Sequence, residues 1–95
     1  MPDRAMLTVY CYDIVRPRLR ARVAALLEER AVRVQDSVFE ARLTRRAAEL
    51  LYDEVAGLIE EGDLLRMYAI AAAGLERCRA LGGSPLPEDG DFWIV

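Results

Sequence analysis

The segment from Met6 to Asp13, with the sequence MLTVYCYD, constrains the fold more than any other part of the chain. It is rich in β-branched and aromatic residues and has polar ends, so it is predicted to be a strand. Successive side chains of a strand point to opposite faces, and apolar side chains occur on both of these faces. Such a strand needs cover on both sides, so the sequence predicts a sheet that is buried on both faces at this point.

Helix signals follow this strand. Pro17 suits the first turn of a helix, and an apolar stripe continues from there towards Arg30. Thr44 is predicted to cap a second helix, whose stripe ends near Ile59 and which stops at Gly62. The sequence therefore predicts two amphipathic helices.

The remaining segments predict further strands. Residues 33–42 indicate one strand, kinked near Asp36 and Ser37, where the alternation slips, and residues 64–71 indicate another. Residues 74–81 fit either a helix or a strand, and the short length between glycines favours a strand. Residues 82–90 contain three glycines and two prolines and are predicted to be a linker. Residues 91–95 form a short apolar strand.

This order of elements predicts an α+β sandwich with two helices on one face of an antiparallel sheet. A chain of 95 residues is long enough for one domain with one core. The second face of the sheet also needs cover, and the strand at residues 91–95 has no obvious neighbour in its own chain. Both features imply a partner chain.

The basic residues exclude several kinds of chemistry. The chain has no His, and all 13 of its basic residues are Arg. This composition excludes Ser-His-Asp hydrolysis, His-based zinc sites, Lys Schiff bases and a Walker-type phosphate loop. The net charge of −3 is uneven, because residues 1–46 carry +4 and residues 47–95 carry −7. A basic face on an acidic body is therefore expected.

Four arginines occur at alternate positions where the first helix should begin: Arg16, Arg18, Arg20 and Arg22. A helix start favours acidic residues by about 0.3–1 kcal/mol each, so positive charge there is unfavourable unless an anion binds. Guanidinium groups and backbone N–H groups together suit phosphate. The alternative is a solvated face helped by Glu28 and Glu29 further along the helix.

Two segments carry a family resemblance. The strand with its Tyr-Asp-Ile ending and the segment from Arg33 to Glu40, RVQDSVFE, resemble CRISPR-associated protein two, the small universal adaptation protein of CRISPR systems. The resemblance covers nearly the whole chain, including the Pro-Arg-Leu-Arg helix start and the Gly-rich linker. The linker departs from close relatives because it lacks arginines, and Asp36 stands where relatives often have an aromatic residue.

The resemblance implies a ferredoxin-like homodimer that bridges dimers of the CRISPR integrase and holds duplex DNA during spacer capture. It also implies a Mg²⁺-dependent nuclease that acts on RNA or DNA. Asp13 would be its catalytic and metal-binding residue, and the Asp13 residues of two copies would share the Mg²⁺ ion. The arginines at the helix start would contact the DNA backbone. The interface strand would comprise Phe92, Trp93, Ile94 and Val95.

Alternatives remain open at this stage. Asp13 could instead accept hydrogen bonds from the first turn of the helix. A toxin-like, RNA-cleaving relative of the same fold is an alternative to the adaptor. The polar start Met1-Pro2-Asp3-Arg4 does not resemble a signal peptide, and no apolar run approaches the roughly 20 residues that span a bilayer. We therefore expect a cytoplasmic protein without membrane contact.

Overall fold

The computed structural model describes residues 4–86 of the chain. Its elements, in chain order, are β1 (Met6–Asp13), α1 (Pro17–Glu28), β2 (Val32–Gln35), β3 (Val38–Leu43), α2 (Arg45–Ala56), β4 (Leu64–Ile70) and α3 (Ala72–Leu75). The four strands form one antiparallel sheet in the order β2-β3-β1-β4. The predicted α+β class with a ferredoxin-like antiparallel sheet is confirmed.

The main core lies between the sheet and the helices α1 and α2. Tyr10 and Phe39, on the central strands, are fully buried there together with Leu27 of α1 and Leu51 of α2. The Tyr10 hydroxyl donates a hydrogen bond of 2.7 Å to the Ala48 carbonyl in α2. Burial of this hydroxyl raises its pKa, so the group stays a neutral donor.

The opposite surface of the sheet, here called the open sheet face, is less covered. On β1 it runs from Leu7, which is buried, through Val9 and Cys11, which are half-buried, to Asp13, which is exposed. Tyr68 of β4 lies opposite Val9 and is 49% exposed. Within one chain, β1 is therefore fully covered only on the helix side, and the predicted cover of its other face by a partner chain stays a prediction.

The predicted kinked strand over residues 33–42 is wrong. The chain reverses at Asp36 and Ser37, so residues 32–43 form the hairpin β2–β3. The slip in the apolar alternation marks this turn rather than a kink within one strand. An irregularity in the register does occur, between Arg33 and Gln35.

Two other predicted boundaries also differ from the structure. Helix α2 ends at Ala56, and Gly62 lies instead in the turn before β4, where its φ of +93° suits a residue without Cβ. The strand predicted over residues 74–81 is not formed, because this region holds the short helix α3 and turns.

The caps of the two long helices differ. The Thr44 hydroxyl accepts a hydrogen bond of 3.2 Å from the Ala47 N–H, which confirms the predicted cap of α2. The N-cap of α1 is Arg16, whose side chain makes no capping hydrogen bond. No helix within residues 4–86 has the length and apolar character needed to cross a bilayer.

Candidate nucleic-acid interface

Asp13 lies at the rim of a cleft of about 590 Å³, here called the aspartate cleft. The cleft lies between the end of β1, the start of α1 and the β2–β3 turn. Its lining residues are Tyr12, Asp13, Ile14, Pro17, Arg20, Ala21, Arg33, Asp36 and Ser37. The cleft therefore brings two carboxylates and two guanidinium groups around one polar opening.

Contacts of Tyr12 fix the wall of the aspartate cleft. The Tyr12 hydroxyl donates to the Asp36 carbonyl at 3.3 Å, and the Tyr12 N–H donates to the Ser37 carbonyl at 3.2 Å. The Tyr12 ring stacks on Phe39, with the ring centroids 6.1 Å apart. These contacts hold the β2–β3 turn against the end of β1, so Tyr12 has the structural role expected of a buried strand tyrosine.

Arg33 completes this wall. Its guanidinium carbon lies 5.3 Å from the centre of the Phe39 ring, in cation–π geometry. A hydrogen bond with the Tyr12 hydroxyl raises the pKa of Arg33. Arg33 therefore presents a fixed positive charge to the cleft.

The aspartate cleft offers limited means of holding a metal ion. No group of three or more His, Cys, Asp and Glu side chains suited to a metal comes together within residues 4–86. The Asp13 carboxylate is exposed and makes no hydrogen bond or ion pair with the described residues, so it is open to a cation. Mg²⁺ is commonly held by one or two carboxylates with water or phosphate oxygens completing its shell. One chain thus provides a partial donor set.

The four arginines of the α1 start do not form one patch. Helical residues advance by about 100° each, so alternate positions fall on different sides of the helix. Arg20 lines the aspartate cleft and donates a hydrogen bond of 3.1 Å to the Ile14 carbonyl. Arg16, Arg18 and Arg22 instead line a second groove.

This second groove, here called the arginine groove, has a volume of about 290 Å³. It is lined by Arg16, Arg18, Leu19, Arg22, Leu58 and Glu60. Arg18 and Arg22 are exposed and make no ion pair with the described residues. The groove therefore presents more positive than negative charge to solvent, as a phosphate-binding surface requires.

Two carboxylates from a distant turn lie against the α1 start. The acidic turn, defined here as residues 60–63, contains Glu60, Glu61 and Asp63. Glu60 pairs with Arg16 at 2.8 Å, and Asp63 Oδ1 accepts a hydrogen bond of 3.1 Å from the Val15 N–H. The alternative capping role of Asp13 is not observed; Asp63 supplies the carboxylate near this helix start.

Neither Glu28 nor Glu29 forms an ion pair with the arginines of the α1 start among the described residues, although Glu29 shares a pocket with Arg22. Glu28 pairs with Arg33 at 3.9 Å, and its partner therefore lies on β2 rather than in the first turns of α1. Glu40, on the open sheet face, is partly buried, and this burial raises the pKa of its carboxyl.

Sequence reasoning identified Asp13 and the four arginines but missed Arg33 and the acidic turn. A signal for Arg33 was its place in the RVQDSVFE segment, next to the slip in alternation. The contacts of Glu60 and Asp63 have no comparable local signal, because their partners lie far away in the sequence. The predicted interface residues Phe92, Trp93, Ile94 and Val95 lie outside the described residues.

Comparisons with known proteins agree on one family. The family model described as CRISPR associated protein Cas2 matches residues 6–78. A CRISPR-associated endoribonuclease Cas2 of Chloroflexus aurantiacus is 38% identical over 93 residues, which cover 95% of this chain and 100% of the relative.

Solved structures share the fold. A crystal structure of a hypothetical protein from Thermus thermophilus superposes with a TM-score of 0.72 at 38% identity, covering 88% of this chain and 99% of that one. A chain of a partial Cas6-RT-Cas1–Cas2 complex gives a TM-score of 0.68 at 25% identity, covering 87% of this chain and 92% of that one.

Proposed function

Because this chain belongs to the CRISPR-associated Cas2 family, we propose that it is a DNA-binding adaptor of CRISPR spacer acquisition. In this role a homodimer holds duplex DNA and bridges dimers of the CRISPR integrase. The presence of a similar chain in an assembly that includes Cas1 supports a partner protein from the CRISPR system.

The arginine groove carries the DNA-binding part of the proposal. Arg18 and Arg22 are one helical turn apart, so their guanidinium groups can reach neighbouring phosphates along one strand. The groove offers mainly guanidinium groups, which bind phosphate oxygens bidentately, so we expect contact with the DNA backbone rather than sequence reading. Arg20 and Arg33 extend the positive charge into the aspartate cleft.

The open sheet face supports the homodimer. Val9 and Cys11 are half-buried there, and Leu64 and Tyr68 of β4 are 39% and 49% exposed. A second copy that covers these side chains would remove apolar surface from water. The same association would bring two copies of Asp13 into one assembly.

A salt titration of duplex binding tests the DNA contacts. Log affinity falls with log salt by about 0.9 per neutralised phosphate, so Arg18→Ala/Arg22→Ala should flatten the slope by roughly 2. The matched control is Arg77→Ala/Arg79→Ala, which removes equal charge from exposed positions outside both grooves. Equal slopes for the two double variants would mean that the groove arginines are merely solvated.

A metal-dependent endonuclease is the second candidate function. The exposed Asp13 carboxylate, in a cleft whose lining also includes Arg20 and Arg33, favours it, as does the endoribonuclease name of the Chloroflexus relative. Asp13 of two copies would hold Mg²⁺, which would supply positive charge to a phosphodiester of RNA or DNA. Arg20 and Arg33 would orient that phosphate by charge-assisted hydrogen bonds.

A further inference from the structure

The acidic turn is closed by its own hydrogen bonds and attached to the α1 start. Its backbone closes with a hydrogen bond of 2.9 Å from the Asp63 N–H to the Glu60 carbonyl, and Gly62 supplies the positive φ. The Asp63 carboxylate accepts the Glu60 N–H at 2.9 Å through Oδ2 and the Val15 N–H at 3.1 Å through Oδ1. One carboxylate therefore fastens the turn to the residue that precedes Arg16.

This attachment places Glu60 in the arginine groove. Glu60 Oε2 lies 2.8 Å from Arg16 Nη1, and the two side chains are 46% and 70% exposed. A carboxylate and a phosphate both offer oxygens that accept hydrogen bonds from a guanidinium group. Glu60 thus occupies the kind of contact with Arg16 that a backbone phosphate of DNA would make.

We propose that Glu60 is an internal competitor for nucleic acid at Arg16, held in place by Asp63. The inference rests on the proposed DNA-binding function. In the free protein Arg16 is paired with Glu60, while Arg18 and Arg22 face solvent. Duplex DNA must exchange Glu60 for phosphate to gain the third contact, so Glu60 weakens binding at this groove.

The exposure of the pair limits the size of the effect. Exposed ion pairs are weak and are screened by salt. Glu60→Gln should therefore strengthen duplex binding by about two- to fivefold at low salt, a range that follows from the usual strength of such pairs. The gain should shrink as salt rises, so the salt slope of the variant becomes steeper.

The experiment measures binding of a fluorescent DNA duplex of arbitrary sequence to the full-length protein over a series of salt concentrations. The matched control is Glu61→Gln, which removes the same charge from the next residue, where no ion pair forms with the described residues. A third protein, Arg16→Ala/Glu60→Gln, removes the released arginine. Thermal unfolding of each variant verifies folding.

We expect Glu60→Gln to bind the duplex more tightly than Glu61→Gln does. This gain should be lost in Arg16→Ala/Glu60→Gln. If wild type binds the duplex, equal affinities of Glu60→Gln and Glu61→Gln would overturn the competitor role alone. A gain that persists in Arg16→Ala/Glu60→Gln would do the same. Absence of duplex binding by wild type and by all variants at the lowest salt would overturn the DNA-binding function and the competitor together. Binding by Glu60→Gln but not by wild type would support the competitor strongly.

Discussion

The position of Asp13 at the end of β1 determines its exposure to solvent. This residue ends β1, where the strand leaves the sheet, and so its side chain is exposed at the rim of the aspartate cleft. The neighbouring Tyr12 is buried and serves packing. Adjacent residues at the end of β1 therefore differ in environment: Tyr12 packs in the core and forms part of the cleft wall, whereas Asp13 is exposed to solvent.

Replacing Asp13 should separate Mg²⁺ binding and cleavage from duplex binding. Asp13→Ala should abolish Mg²⁺ binding and reduce any Mg²⁺-dependent cleavage to background, because the carboxylate is the proposed ligand. Duplex binding should be retained, since it depends on the arginines. Calorimetric Mg²⁺ titration and a cleavage assay on RNA and DNA measure these effects.

Asp36→Ala is the control for this change, because Asp36 is an exposed carboxylate in the same cleft. It should leave Mg²⁺ binding and cleavage largely unchanged. Full Mg²⁺-dependent cleavage by Asp13→Ala would show that Asp13 is not the metal ligand.

At the scale of elements, local signals succeeded where one residue type has one main use. Pro17 marks the first turn of α1, and Thr44 caps α2 as predicted. The signals failed where two structures share a pattern. The slip at Asp36 and Ser37 suited a kink as well as a turn, and the short segment 74–81 fitted two periodicities.

The candidate site was predictable only in part, for a related reason. The positive charge at the α1 start predicted a bound phosphate, which stays a prediction; in the structure a carboxylate of the same chain, Glu60, pairs with Arg16 there. The sequence could not reveal that Glu60 and Asp63 lie beside it, because this pairing depends on how the α2–β4 connection folds back.

The cap of α2 gives a prediction about stability. Thr44→Ala removes the acceptor for the Ala47 N–H and should lower the free energy of unfolding by about 1 kcal/mol. Thr44→Ser keeps a hydroxyl and should stay within a few tenths of a kcal/mol of wild type, as expected among good N-cap residues. Urea unfolding of the three proteins measures the difference, and equal losses for Ala and Ser would contradict a capping role.

At the scale of the whole molecule, the open sheet face and the segment 91–95 bear on assembly. Exposed strand edges accept additional strands through backbone hydrogen bonds. We expect Phe92, Trp93, Ile94 and Val95 to join a sheet edge of the second copy or of the integrase.

Deletion of residues 91–95 should therefore shift the protein from dimer towards monomer or weaken its binding to the integrase. Light scattering gives the mass, and a pull-down with purified integrase and duplex DNA gives the binding. The full-length variant Trp93→Ala should show a smaller effect in the same direction, because it keeps the backbone of the strand. An intact dimer with normal integrase binding after the deletion would disprove the assignment.

Because β1 lies between β3 and β4, its pairing also constrains the order in which the sheet can form. Met6 pairs with Leu43 and Leu7 with Ile70, although β1 precedes both β3 and β4 in the chain. Helix α1 and the β2–β3 hairpin can form from neighbouring residues, whereas β1 must wait for distant chain segments and the closure of long loops. Among the described strands, β1 is thus synthesised before both of its neighbours and gains the second of them only after β4 has been made.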